Sequence, residues 1–477
     1  MSAGTPAVPR PRTTPGWARP APVDQLADEL AEFLAAAVHP DEIAALLEAD
    51  GLTDERIRER YGVRDSFALA EQLYARADRR RPEPDGPLHD PWRTGLLGCL
   101  LRGVVFALPG LAHILGAPLH PTATAPLLAG ALTSWTWNQG LAHRAYSWLG
   151  LGDRAAARRC LLRGGPAGAL LGTLTVFAAA GTADPAVLAV AAGQSCYLGA
   201  ATALLVLGRE RALLAALLPL AAGALATQLT AVSEPARLLL LLGSLTAVTV
   251  LAVRAVVPAP RRPGEGWTAG LTALLPFGAL GAPVRRRPDR AAPRLAASLP
   301  YAVLGLGSGV LILHTALGDG RPVGAVALTL SMGPAEWLLY RFRSGSLAGL
   351  RSTSTPRAFW RATARTVLAC LTAYLAALLT LTLATTALWP HHPAPALSAA
   401  RLTGLLLLGV VLWTGLLLQS FGAVAGAAVV CAAAALAQTA VLTTGAPPWT
   451  GLAVHGTAAV VLTALVCVLL GRATAHR

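Results

Sequence analysis

RTVLACLTAYLAALLTLTLATTAL, residues 365–388, carries no charge after Arg365. A helix that crosses the roughly 30 Å hydrocarbon core of a bilayer needs about 20 predominantly apolar residues, so this stretch reads as a membrane span. Runs of the same kind recur on both sides of it. They predict spans near 94–116, 122–142, 166–183, 185–207, 212–231, 236–258, 298–317, 322–340, 365–388, 400–419, 422–443 and 449–471. The fold class expected is an all-α polytopic membrane protein of about twelve transmembrane helices, with the lipid bilayer as its first partner.

The charge distribution supports that reading. Acidic residues total 25, yet seventeen of them precede residue 91. The rest are Asp153, Asp184, Glu210, Glu234, Glu265, Asp289, Asp319 and Glu336, too few to solvate a soluble domain of that size. All 39 basic residues are arginine, which with the Ala, Gly, Pro and Leu abundance matches the codon bias of a GC-rich bacterium. A net charge of +14 suggests nucleic acid in a soluble protein. Here the arginines lie between apolar runs, where they orient spans.

With the N-terminus inside, the cytoplasmic connections hold twenty arginines, from Arg144 through Arg365, against Arg237, Arg321 and Arg401 outside. Arg472 and Arg477 also fall inside. The expected location is a bacterial cell membrane, with both termini cytoplasmic.

Residues 1–22 are proline-rich and read as a disordered tail. Residues 23–79 form a small cytoplasmic helical module. Leu26, Leu30 and Phe33 recur at helical spacing, Asp41-Glu42 opens a second helix that Gly51 stops, Thr53 caps a third and Ser66 a fourth. Leu47–Tyr74 superficially resembles a helix-turn-helix. Fourteen acids against five arginines over 23–78 would repel a phosphate backbone, so nucleic acid is not expected. A protein-interaction role fits better, with a glycosyltransferase as one candidate partner. A hinge follows at 80–93, then a first six-helix lobe at 94–258, a basic linker at 259–297, a second six-helix lobe at 298–471 and a tail at 472–477. Within the linker, Trp267–Leu280 is too short and too broken to span, and suits the inner membrane surface.

The lobes repeat in parallel. In each, the second span is followed by a long basic loop, Arg144–Gly165 and Arg341–Arg365, offset by near 197 residues. Transporters built from such repeats enclose a cavity that opens to alternate sides.

No catalytic motif and no cysteine or histidine spacing for a metal occurs, so neither an enzyme nor a cofactor is expected. Ionisable groups inside spans are costly and mark function. Arg102 is a candidate substrate-binding residue for a phosphate or carboxylate; the alternative is an arginine snorkelling to the inner interface. Glu336 is a coupling group or the ion-pair partner of an arginine such as Arg102; the alternative is a pair with Arg341 or Arg343. His113, His314 and His455 are candidate coupling imidazoles, although a lone imidazole in a span is more often a hydrogen-bonded packing residue. Asn138 and Gln139 can line a cavity, or bind helices together.

Ser134–Arg159, SWTWNQGLAHRAYSWLGLGDRAAARR, resembles the multidrug/oligosaccharidyl-lipid/polysaccharide (MOP) flippase superfamily. The match rests on Gly140, Arg144, Gly150, Gly152, Asp153, Arg158 and Arg159, with Tyr340–Arg365 as a degenerate copy. The resemblance implies two six-helix lobes over about 94–471 and export of a polysaccharide or lipid-linked glycan, an anionic substrate engaged by Arg102. Pel-type exopolysaccharide exporters of GC-rich actinobacteria are the subfamily it points to, although the acidic module lies outside their pattern. The competing readings are a major-facilitator or drug-type secondary transporter, and a non-transporting scaffold for glycan synthesis. The long second loop counts against the major facilitators.

Overall fold

The computed structural model describes residues 21–37, 39–76, 95–116, 124–181, 184–257, 292–318, 323–387 and 398–476. The tail, the hinge 80–93, most of the linker and the His391-His392 pair lie outside the described residues, as does the side chain of His113. Every regular element among the described residues is a helix, and they fall into two compact units divided at Asp90.

The first unit contains α1 (Pro22–Glu29), α2 (Ala31–Ala36), α3 (Pro40–Ala49), α4 (Asp54–Tyr61) and α5 (Ser66–Arg76). Ile43, Leu47, Ile57, Leu69 and Leu73 are fully buried and form its core. Thr53 caps α4 as expected, its hydroxyl accepting from the Arg56 amide. Two details differ from the sequence reading. The helix expected through Leu26 and Phe33 breaks at Leu30, and the buried side chain is Leu34, with Phe33 turned outward. Asp65 caps α5 in place of Ser66: the Ala68 amide donates to Asp65 Oδ1 at 2.8 Å. Ser66 is the first helical residue, and its hydroxyl instead donates to Glu48 Oε1 at 2.8 Å.

The second unit begins with α6 (Leu96–Gly116), α7 (Thr124–Gly150), α8 (Arg154–Ala180), α9 (Pro185–Val206), α10 (Glu210–Leu229) and α11 (Glu234–Val256). After the linker come a short 3-10 turn (Leu295–Ser298), α12 (Leu299–Gly318), α13 (Val323–Leu330), α14 (Met332–Ser352), α15 (Pro356–Ala387), α16 (Ala399–Ser420), α17 (Val424–Thr443) and α18 (Pro448–Leu470). Among the described residues nine helices are long and apolar enough to cross a membrane: α8 to α11, the helix from Leu295 to Thr315, and α15 to α18.

What those helices expose is as informative as what they bury. Leu239, Leu436 and Val460 are 72%, 74% and 70% accessible, and Leu97, Leu218, Leu225, Leu368 and Val429 also point outward. A water-soluble protein cannot tolerate so much contiguous apolar surface; a bilayer requires it. Many threonines inside the helices satisfy their hydroxyls within the same helix. In α15 the hydroxyls of Thr380, Thr382, Thr385 and Thr386 donate to the carbonyls of Ala376, Leu378, Leu381 and Thr382, one turn earlier. The chain is a multi-pass helical membrane protein.

Two expectations are corrected. The basic stretches 144–165 and 341–365 are not loops. Helices α7 and α8 continue through the first and meet at a tight turn, where Gly152 is left-handed and the Asp153 amide reaches back to the Trp148 carbonyl. Helices α14 and α15 also meet at a short turn, Thr353–Thr355, here without a left-handed residue: Thr353 is extended, and the Thr355 hydroxyl accepts from the Ala358 amide at 3.2 Å. Arginine-rich sequence that looked too polar for a span is helix continued beyond it. In addition, the span expected at 322–340 is broken at Ser331 into α13 and α14. Pro334 has no N–H for the Leu330 carbonyl, which accounts for the interruption.

The helices before and after the linker share most of their neighbour pairs when α13 and α14 are counted as one broken helix, the α7–α9 contact of the first series being unmatched in the second. Numbered from the start of each series, positions one and five, two and three, three and four, three and six, four and five, four and six, and five and six are neighbours in both. The turn between positions four and five also repeats: Gly208 and Gly422 have φ of 70° and 77°, and each is followed by an amide that closes a six-residue ring. A left-handed residue at this C′ position favours glycine, which has no Cβ to clash. Each series has its own core, around Leu204, Leu213 and Val248 in the first and Leu311, Phe342 and Trp413 in the second.

Candidate functional site at the seam between the halves

The two series meet reciprocally. Helix α6 packs on α13 and α14, and α12 packs on α7. Thus the first helix of each half lies against the second of the other. Helices α7 and α14 are long enough to span but fall outside the nine strongly apolar helices, and both lie at the seam.

On the α6 side the backbones nearly touch. A Cβ on Gly103 would lie 2.7 Å from the Gly333 nitrogen and 3.2 Å from the Leu330 carbonyl that Pro334 leaves free. This approach brings Arg102 against α14, where its Nη1 donates to Glu336 Oε1. The ion pair that the sequence offered as one option is formed. Arg341 instead lies over the Trp337 ring, and Arg343 bonds the Ser420 carbonyl.

A second carboxylate was missed. Glu210, the first residue of α10, places Oε2 3.0 Å from Arg102 Nε. Its sequence neighbours Arg209 and Arg211 made it look like part of a solvated connection. The available signal was its place as the first acid of a span, where the positive end of the helix dipole favours a carboxylate. The Tyr340 hydroxyl, one turn beyond Glu336, lies 3.4 Å from the same Glu336 oxygen. Tyr146 of α7 sits within electrostatic reach of Glu210, Arg102 and Tyr340. The side chains of Arg102, Glu210 and Glu336 are 31%, 35% and 21% exposed, so the cluster is partly open. Among the described residues the cluster thus holds two carboxyl groups against one guanidinium.

The α7 side of the seam has aromatic and polar contacts. His143 stacks on Tyr301 with centroids 3.7 Å apart, and its Nδ1 is 3.0 Å from Ser298 Oγ. Arg144 donates to the Pro293 carbonyl. Gln139 also faces this seam, beside Gly305 of α12.

Other expected site residues lie elsewhere. Asn138 points into the first half, buried, its amide donating to the Ser134 carbonyl. Ser134 in turn donates to Ser195. Adjacent Asn138 and Gln139 therefore do not share a site. His314 contacts Thr439 Oγ1 at 2.9 Å within the second half. His455 is buried there with Nδ1 on the Gly451 carbonyl. Among the described residues no group of three or more His, Cys, Asp or Glu is placed to hold a metal.

The motif residues Gly152 and Asp153 are accounted for locally. Gly152 makes the turn, and Asp153 caps α8 by accepting from the Ala156 amide at 2.8 Å. No family model, no curated protein and no solved structure matches the chain.

Proposed function

We propose that this protein is a membrane transporter working by alternating access, its twelve spans arranged as two six-helix lobes that part and close along the α6–α14 and α7–α12 seam. The observation that carries the reading is the bridge of Arg102 to Glu336. It joins opposite halves at a partly open polar seam, where a permanent structural tie has no need of an ion pair between spans. With the N-terminus cytoplasmic, as the arginine distribution favours, the bridge lies toward the cytoplasmic end and closes that side. The location proposed is a bacterial cell membrane, with the acidic module 23–79 inside.

The substrate proposed is a polysaccharide or lipid-linked glycan, on the resemblance of Ser134–Arg159 to MOP flippases. Arg102 engages an anionic group only after a carboxylate has left it, because two carboxylates neutralise it in the closed form. The major-facilitator reading gains from the fold, since the tight turn at Leu151–Asp153 removes the long second loop that told against it.

An export assay in a deletion strain tests the proposal, comparing wild type with Arg102→Ala and Glu336→Gln at matched membrane expression. Export is expected to fall by about tenfold or more in both, the scale of a lost coupling of roughly 1–3 kcal/mol. An unchanged exported glycan on deletion refutes the polysaccharide substrate. Full export by both variants refutes the seam mechanism.

A further inference from the structure

Arg102 has one carboxylate from each half, and the two are not equivalent. Glu210 belongs to α10, which packs on α6 within the same half. Glu336 belongs to α14 across the seam. If the halves part here, Arg102 travels with Glu210 and away from Glu336. An arginine stays charged at any physiological pH, so it must keep a counter-charge when it moves.

We propose that Glu210 is the resident counter-ion of Arg102, that Glu336 is its transient partner, and that parting of the halves leaves Glu336 as a site for a single positive charge, a proton or an ammonium group. This rests on the transporter reading and adds its coupling step. Among the described residues the groups facing Glu336 are Arg102 from α6 and Tyr340 from its own helix. Behind Arg102 stand Glu210 from α10 and Tyr146 from α7. Among the described residues, the Tyr340 hydroxyl is what remains beside Glu336 once Arg102 is withdrawn, and a bare carboxylate in that seam costs free energy until a cation or proton neutralises it. The sequence of events is binding of positive charge at Glu336, release of Arg102 to Glu210, and separation of the halves.

The chain supplies its own reporter. Cys99 lies one turn before Gly103 on α6, is 4% exposed, and its carbonyl faces Gly333 across the seam. The experiment measures labelling of Cys99 by a membrane-impermeant maleimide in full-length protein in inside-out vesicles, with Cys160, Cys196, Cys370, Cys431 and Cys467 replaced by alanine. Each rate is divided by that of the detergent-unfolded protein at the same pH, because maleimide reacts with the thiolate and the thiolate fraction falls with pH; on that scale labelling is expected to be slow at about pH 7.5 and, nearer the carboxylate range at about pH 5, faster. Glu336→Gln should label fast at both, and Glu210→Gln slowly at both, about fivefold or more below the parent at the acidic pH. Glu210→Asp keeps the charge and should follow the parent.

If Glu210→Gln labels like Glu336→Gln or like the parent, or if Glu210→Asp labels like Glu210→Gln, the assignment of roles is overturned. Methylammonium chloride replacing sodium chloride at about pH 7.5 separates the two sources of charge. Acceleration by acid alone assigns a proton, and acceleration by methylammonium assigns an ammonium group; acceleration by neither overturns the site. Slow labelling of Glu336→Gln under every condition would mean that the halves do not part here, and would refute the transporter mechanism beneath the proposal as well.

Discussion

Glycines at the α6–α14 contact set how near Arg102 can come to Glu336. With the Gly103 Cβ position 2.7 Å from backbone, any side chain there must push α6 and α14 apart. Gly103→Ala is therefore expected to destabilise the protein by about 1–3 kcal/mol, as overpacking does elsewhere, and to weaken the Arg102 bridge with it. A fluorescence-detected melting curve in detergent gives the first effect, and Cys99 labelling the second. A melting curve like that of the wild type would show that the helices give way without loss. At the same scale, Asp65 yields a pH prediction. The Ala68 amide, helped by the Arg64 guanidinium, holds its carboxyl below the usual carboxylate range. Because the folded value is depressed, its stabilisation is fully present above about pH 4 and is lost as pH falls through the folded value. Residues 21–76 as an isolated fragment should thus lose stability below that pH, and Asp65→Asn should flatten the dependence in a circular dichroism titration. An equally steep titration in the variant would assign the effect to other carboxylates.

Element by element, how much could be read from the sequence depended on whether a helix answers to lipid or to protein. Strongly apolar helices such as α15 to α18 were plain, because solvent sets their composition along their whole length. Their ends were less plain. Hydropathy marks where the bilayer stops, and backbone hydrogen bonding does not stop there, so α7, α8, α14 and α15 run on through stretches read as loops. The break at Ser331 had a signal, Gly333-Pro334, that a hydropathy window averages away. The site was half legible. Arg102 and Glu336 stood out because charge in a span is expensive. Glu210 did not, since its neighbours are arginines and its partner lies more than a hundred residues away in the chain. Asn138 and Gln139 show a third limit: composition identifies polar residues in a span, but the helical rotation of about 100° between neighbours sends one inward and the other to the seam.

At the scale of the whole molecule, the repeated neighbour pattern and the two separate cores predict that the halves are independent assembly units. Co-expression of residues 1–275 with 276–477, cut within the linker, is expected to yield a membrane complex that co-purifies and exports, while neither fragment exports alone. Failure of the fragments to associate would show that the covalent linker, and not the seam, holds the molecule together. The Arg102 and Glu336 substitutions belong to the same test, since weakening the bridge should lower recovery of the complex.

The continuous α7–α8 and α14–α15 hairpins have a mechanical consequence. At 1.5 Å per residue, α7 and α8 are each about 40 Å long and α15 about 48 Å, against a hydrocarbon core of about 30 Å. Each hairpin tip is thus a lever arm that extends past the bilayer, and a small tilt between the halves becomes a larger excursion at residues 151–153 and 353–355. Under the proposed transport cycle, with the N-terminus inside, a cytoplasmic protein that grasped one tip would act there with the greatest torque, able to brake the moving half with a weak hold.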